Sequence, residues 1–451
     1  MAKRSNGTPS EPVSPSSISR ITVSGFKSIG EEQSIEIAPL TILAGVNSSG
    51  KSSIMQPLLL LKQTLEASYD PGALMLDGPN LKFTMASQLL SREKKGKTAD
   101  RFSVGLQVES GLSFQSIFNK EPKTLMDVVE TRYHGNEENL VLSTKEHKVK
   151  WISQKGSKPV ESPFIELSYQ KLEPVAVRAR CFLKVGFKDV SGRIFPFPFH
   201  DSSLRFFSIP DYEGSITGVI HLPGLRGNPL RTYSVAAVGD SFSGTFEHYT
   251  ASVIFKWQED KSTDVLDQLY ADLKWLGLTW KVVAKRINET QVELHVGRLI
   301  EPIPGGSKDL VSIADVGFGV SQTLPLLVAM HVAKPGQLVY LEQPEIHLHP
   351  RAQMAMAQVI ANASKRGVKV VIETHSSLLI LGVQTLVAEG KLDPSLVKLH
   401  WFQRDADGMT KITTGNLDEN GTFGDWPEDF ADVELGSQHR FLSAFETRMG
   451  L

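Results

Sequence analysis

An α/β fold, with a mixed or largely parallel sheet and an inserted α+β segment, is what this 451-residue sequence predicts. A glycine-rich turn stands between a strand-like run and a helix-like run near the start. The last third alternates strand-length apolar runs with helix-length ones, the pattern of parallel pairing. Between them lies a long stretch of short strand candidates broken by Gly, Pro and charges.

Residues 1–17, MAKRSNGTPSEPVSPSS, are polar, rich in Ser and Pro, and lack the apolar core of a secretory leader. They hold too little apolar surface to fold and are expected to form a flexible tail. From Ile18, ISRITVSGF alternates as a strand, SIEIA is a second and LTILAG a third. SSIMQPLLLLKQTLEAS follows with an apolar stripe at helical spacing. Residues 18–90 are therefore assigned to the first part of a head domain.

Residues 91–298 are assigned to the inserted α+β region, partly a lobe of the head. RFSVGLQV, FIELSYQKL and RCFLKVGFK are strand candidates, and the lysine-rich stretch 145–158 reads as a solvated face. HLPGLRGNPLRTYS carries turn signals, and its Arg226 and Arg231 suit a phosphate contact or the surface equally well. DVLDQLYADLKWLG reads as a helix, followed by strands WKVVAKRI and TQVELHV. Trp257, Trp275 and Trp280 lie in or beside that helix, where packing is favoured over base stacking. Residues 299–451 complete the head. A helix follows GFGVS, then come strand QLVYLE, helix PRAQMAMAQVIANASKRG and strand VKVVIE, while GTFGDWPEDF reads as turns before a terminal helix.

Composition narrows the function classes. Net charge is −2, which excludes a broadly cationic surface and leaves nucleic-acid contact to a local patch. Cys181 is the only cysteine, so an internal disulfide and a multi-cysteine zinc site are both excluded, and it reads as a core residue. No run approaches the ~20 apolar residues of a membrane span, and a cytoplasmic location is expected. The sequence shows no heptad run of coiled-coil length.

The sharpest chemical signal is GVNSSGKS at 45–52, which has the G-x-x-x-x-G-K-[ST] spacing between a strand and a helix. Gly45 and Gly50 let backbone N–H groups curl around phosphate, with Asn47, Ser48, Ser49 and Ser53 completing the loop. The Lys51 ammonium suits β- and γ-phosphates, and the Ser52 hydroxyl suits Mg²⁺. QLVYLEQPEIHLHP places Glu342 at the C-terminal edge of a strand, where parallel sheets bind ligands and a carboxylate can hold Mg²⁺. VKVVIETHS puts His375 at another strand end. ADVGFGVSQ sets Gly317, Phe318 and Gly319 ahead of a helix whose N–H groups can meet phosphate, with Gln322 in its first turn.

This order of motifs resembles ABC-class AAA ATPases of the RecF, SMC and OLD type, prokaryotic and associated with defence. The opening ITVSGFKSIG…LTILAGVNSSGKSS is similar to that group's N-terminus. The resemblance implies a P-loop NTPase head of ABC type, with ATP and Mg²⁺ as cofactors. It makes 45–53 the Walker A motif, 317–322 the signature, Glu342 the Walker B acid and His375 the switch histidine. It also implies a metal-contacting glutamine soon after the first helix, taken as Gln88 with Gln56 as competitor. Two copies are expected to associate head to tail, as a dimer or higher oligomer, each ATP lying between one P-loop and the other signature.

The sequence departs from the family pattern beside Glu342. Gln343 stands where a glutamate is usual, and an amide cannot take a proton from water. Loss of such a base costs about 10²–10⁴ in rate. Slow hydrolysis and a long-lived ATP-bound dimer are therefore expected, with Glu345 as the competing base. Gly317 stands where the signature usually has serine. Glu345, His347 and His349 could also suggest zinc, a reading disfavoured because no further Cys or His cluster lies near. The expected role is a switch in a nucleic-acid-related or antiphage defence complex, with a separate effector chain, nucleic acid possible and no membrane. The alternatives are a DNA repair ATPase and an ATP-bound scaffold. The fused nuclease of OLD relatives is not expected in the stretch after His375, and any such activity is expected from the separate chain.

Overall fold

The computed structural model describes residues 17–92, 96, 98–120, 126–135, 138–153, 172–196, 211–302, 304 and 306–424. Its centre is a six-stranded sheet in the order β12 (Ile220–Leu222), β17 (Leu338–Glu342), β18 (Lys369–Glu373), β3 (Leu40–Gly45), β19 (Val397–Arg404) and β20 (Thr410–Asn416). All neighbours pair in parallel except β20, which is antiparallel to β19.

β3 and β18 are buried at every position, so both faces of the sheet must be covered. Period-two alternation divides their side chains between two cores. Leu40, Ile42, Ala44, Val339, Leu341, Val370 and Ile372 face one; Leu43, Leu338, Tyr340 and Val371 face the other. The first core is closed by α3 (Thr250–Glu259), α4 (Thr263–Trp275), α5 (Phe318–Val332), α6 (Pro350–Lys365) and α7 (Ser377–Ala388). It also includes the small sheet of β13 (Tyr233–Ser234), β14 (Val282–Arg286), β15 (Gln291–Gly297) and β16 (Leu310–Ser312).

The second core lies under α1 (Lys51–Glu66) and an antiparallel sheet. That sheet runs β2 (Gln33–Glu36), β1 (Ile18–Ser24), β4 (Arg101–Val108), β5 (Ser113–Asn119), β6 (Asp127–His134), β7 (Glu138–Ser143) and β8 (Lys148–Ser153). The hairpin sheet of β9 (Glu173–Ala179), β10 (Phe182–Lys188) and β11 (Ile194–Pro196) packs on the same core beside the short α2 (Tyr212–Thr217). Cys181 is fully buried there, and burial raises its thiol well above the usual range.

Each strand and helix expected in 18–66 and 299–373 forms. The chain also builds elements that the sequence reading passed over: β12 inside the turn-rich HLPGLRG, α7, and the β19–β20 hairpin. In β19 the polar His400 is wholly buried, its Nδ1 bonded to Thr414 Oγ1 at 3.0 Å and its Nε2 to the Glu36 carbonyl at 2.9 Å. Tertiary bonding, which periodicity does not register, makes that strand a core strand. Residues 1–16, most of FIELSYQKL and everything after 424 lie outside the described residues.

Candidate nucleotide site

The loop between β3 and α1 turns on three left-handed residues. φ is 143° at Gly45, 60° at Ser48 and 102° at Gly50. Two of these need glycine for space as well. A Cβ on Gly45 would lie 2.2 Å from the Phe402 carbonyl oxygen, and one on Gly50 would lie 2.3 Å from Thr410 Oγ1. The hairpin end fixes the loop from outside. Thr410 Oγ1 donates to the Ser49 carbonyl at 2.7 Å, and Arg404 Nε donates to the Ser48 carbonyl at 2.7 Å. α1 starts at Gly50 without a side-chain cap, so its first N–H groups are open to an anion. Asn47 and Ser48 are exposed, while Ser49, Lys51 and Ser53 are buried. Lys51 Nζ donates to the carbonyls of Gly45 at 3.0 Å and Val46 at 2.9 Å. Burial lowers its pKa, against the attraction of Glu373 and Glu345.

The C-terminal edge of the parallel sheet supplies the acids. Glu342 and Glu373 are in register on adjacent strands, and alternation turns both to the α1 face with Tyr340. Glu373 Oε1 accepts from Ser52 Oγ at 2.9 Å, and its Oε2 accepts from the Tyr340 hydroxyl at 2.9 Å. Glu342 is committed elsewhere. Its Oε1 meets His221 Nε2 at 3.1 Å, and its Oε2 accepts from Gly224 N–H at 3.1 Å. Burial opposes ionisation of Glu342, but the bonds from His221 and from the Gly224 N–H prevail and hold its pKa below the usual value. Glu345 Oε1 accepts from His375 N–H at 2.8 Å, while its buried Oε2 has no partner. Burial raises the pKa of both Glu345 and Glu373. The exposed His375 ring has its pKa lowered, by burial of part of the ring and then by Lys51.

Arg226 is buried, unlike the surface or phosphate-facing residue that the sequence allowed. Its Nη1 donates to the carbonyls of Pro223 at 3.0 Å and Glu342 at 3.3 Å, and Nη2 reaches the Gln343 carbonyl at 3.5 Å. It therefore pins the turn after β17, where Gln343 is held at φ 46°. Arg231 remains at the surface, its Nη1 and Nη2 donating to the two carboxylate oxygens of Asp315.

Two family descriptions match this chain. "AAA ATPase domain" matches residues 17–173, which hold the P-loop, and "AAA domain, putative AbiEii toxin, Type IV TA system" matches residues 241–381, which hold Glu342, Glu345, Glu373 and His375. Both matched segments are of the AAA ATPase kind.

Solved structures similar to this protein include an SmcHead bound to the C-winged helix domain of ScpA, at 12% identity and TM-score 0.44, covering 89% of this chain and 98% of that one. The SMC head domain of Thermotoga maritima has 12% identity, TM-score 0.37 and coverage of 88% and 98%. A Pyrococcus furiosus Smc head with an extended coiled coil, bound to the C-terminal domain of ScpA, has 12% identity, TM-score 0.41 and coverage of 89% and 96%. No curated protein matches.

The segment 317–322 sits beside the turn after β17. The exposed Phe318 ring stacks on His347 with centroids 5.5 Å apart, and Gly319 faces Leu278 and the His347 carbonyl. Gln322 is buried and donates to the Gly227 carbonyl at 3.0 Å. Gln88 is bonded within its own turn. Its Oε1 accepts from the N–H groups of Thr84 at 2.9 Å and Met85 at 3.3 Å, because the short turn beneath it needs a cap. Gln56 accepts from Lys27 Nζ at 2.6 Å. His349 Nδ1 caps α6 by accepting from Arg351 N–H at 3.3 Å, and no group of three His, Cys, Asp or Glu placed to hold a metal occurs among the described residues. Trp257 packs on the core and Trp280 donates to Asp309 at 3.2 Å, whereas Trp275 is exposed.

Sequence reasoning missed Glu373, His221 and Asn80. The signal for Glu373 was present in VVIETHS, a carboxylate ending an apolar strand one residue before the noted threonine and histidine. Asn80 and His221 give no local signal, since they meet only in the fold, at 3.1 Å.

Proposed function

We propose that this ATPase binds ATP at the P-loop, hydrolyses it slowly, and uses ATP-dependent head-to-tail pairing to switch a nucleic-acid-related or antiphage defence complex. One observation supports the site: Lys51, Ser52, Glu345, Glu373 and His375 meet at one sheet edge although the chain separates them widely. The match to a description naming a toxin–antitoxin system supports the defence role, with the effector on a separate chain.

The triphosphate replaces the Gly45 and Val46 carbonyls at Lys51 and caps α1. Beside the loop, a cleft of about 370 Å³ lined by Lys27, Ser28, Ser87, Gln88, Leu90, Arg92, Arg404 and Gly408 has room for the nucleoside. Magnesium fits the donors present, because the Ser52 hydroxyl and adjoining carboxylates are hard oxygen ligands. When bound it neutralises phosphate charge and orients the terminal phosphoryl group. Glu345 is the base: it lies near Lys51, has a free buried oxygen, and its raised pKa gives it affinity for a proton. Gln343 cannot take a proton, so hydrolysis rests on this one buried carboxyl and is slow.

Steady-state ATPase assays test this. The expected kcat is below about 1 s⁻¹, at the low end for enzymes. Glu345→Gln should retain ATP and lose turnover by about 10²-fold or more, Gln343→Ala should change little, and Lys51→Ala should bind no ATP. Fast turnover would sink the slow switch, and a Glu345→Gln variant as active as the parent would remove Glu345 as base. Effector capture in ATP but equally in ADP would count against nucleotide gating.

A further inference from the structure

We propose that Glu373, and not Glu342, is the carboxylate that joins Ser52 in holding magnesium. This rests on the nucleotide reading above and gives the metal end of that site a different acid from the one the motif order implies.

Reach is the first argument. Glu373 ends β18, which pairs directly with the P-loop strand β3, whereas Glu342 ends β17, one strand further out. At about 4.8 Å per strand, Glu342 starts about 9.6 Å from β3 and Glu373 about half that. Commitment is the second. Both Glu342 oxygens are occupied by His221 and Gly224, on a segment that Arg226 ties to the carbonyls of residues 342 and 343. Freeing Glu342 would leave Nε2 of the buried His221 without its partner, at a cost of about 1–3 kcal/mol.

Glu373 is already against the P-loop hydroxyl. Its other oxygen is oriented by the wholly buried Tyr340, the kind of outer partner that fixes a metal-ligating carboxylate. The unpartnered Glu345 Oε2, more than nine-tenths buried, belongs to the same group of charges around Lys51. The pocket thus combines a P-loop lysine, a P-loop hydroxyl, one oriented carboxylate and one open acceptor.

The test is mant-ATP binding to the full chain, titrated with magnesium and again in EDTA. In Glu373→Gln the strengthening of binding by magnesium should fall by at least about tenfold, while binding in EDTA stays near that of the parent. Glu342→Gln should keep most of the magnesium-dependent gain. Tyr340→Phe, which keeps the ring and the Glu373 charge, should lose part of it. Manganese EPR with ADP gives a readout without turnover: Glu373→Gln should release bound manganese to the aquo signal and Glu342→Gln should not. The reverse pattern, or equal loss in both glutamate variants, overturns the assignment. Failure of the parent to bind mant-ATP at all would instead sink the nucleotide reading on which it rests.

Discussion

His221 holds Glu342 in place, and its own orientation is set by Asn80. The Asn80 Nδ2 atom faces the Gly244 carbonyl at 3.0 Å, a position that an amide oxygen would not tolerate. The same nitrogen meets His221 Nδ1, which must then accept, leaving the ring proton on Nε2 to donate to Glu342. His221→Ala would orphan one partly buried oxygen of Glu342 and one buried N–H of Asn80 and leave a cavity. It is expected to cost about 2–4 kcal/mol in urea unfolding, with His221→Gln recovering part; an unchanged midpoint would contradict this. Glu345 and Glu373 give a second residue-scale prediction. Burial raises their pKa values, so the folded chain binds these protons more tightly than the unfolded chain does. That stabilisation is complete below the unfolded carboxyl value of about 4.3 and is lost as pH rises through the folded values. Without nucleotide, Glu345→Gln should therefore melt above the parent at neutral pH, and the gap should close on acidification. A gap that widened towards acid would reverse the sign. Little of this was legible in the sequence: Glu342 and Glu345 stand in one visible motif, but their partners come from residues 80, 221, 224 and 375.

The P-loop illustrates what an element adds to a motif. GVNSSGKS announced the turn and the helix, because the glycine conformations and the spacing are local properties. Nothing local announced that the turn into β20 braces it. Thr410 lies far along the chain, its N–H donating to the Ser28 carbonyl at 2.7 Å and its hydroxyl reaching both Ser28 Oγ and the Ser49 carbonyl at 2.7 Å. Thr410→Val keeps the shape and deletes the hydroxyl, leaving the Ser49 carbonyl short of a donor. The expected loss is about 1–2 kcal/mol of stability, with mant-ATP affinity weakened several-fold. Affinity equal to the parent would show that the brace plays no part in shaping the loop. The hairpin escaped the sequence reading for the same reason that it works. Its buried polar residues His400 and Thr410 are satisfied by distant β2, β20 and P-loop atoms, so the strand lacks a clean apolar pattern.

At the scale of the molecule, the parallel centre was readable because βα alternation forces it, whereas the antiparallel sheet draws β1 and β2 from the start of the chain onto β4. The two-core plan presents the P-loop and the start of α5 as separate open features. α5 begins at Gly317 with no side-chain cap, and exposed apolar side chains accompany both features: Val46 at 50% and Phe318 at 50%, with Leu225 at 93% in the loop beside Glu342. A second copy placed head to tail would offer the uncapped α5 N–H groups to the first copy's phosphates and cover these side chains. In the slow Glu345→Gln variant, ATP should therefore double the mass seen by light scattering, and ADP should not. Adding Phe318→Glu places a charge where the partner would bury a ring. It should weaken the dimer by at least about tenfold while mant-ATP binding persists, because Phe318 touches His347 and not the P-loop. If ATP-loaded Glu345→Gln stayed at monomer mass at tens of micromolar, the paired arrangement would be wrong. If Phe318→Glu dimerised as well as its parent, the partner would have to approach through another face.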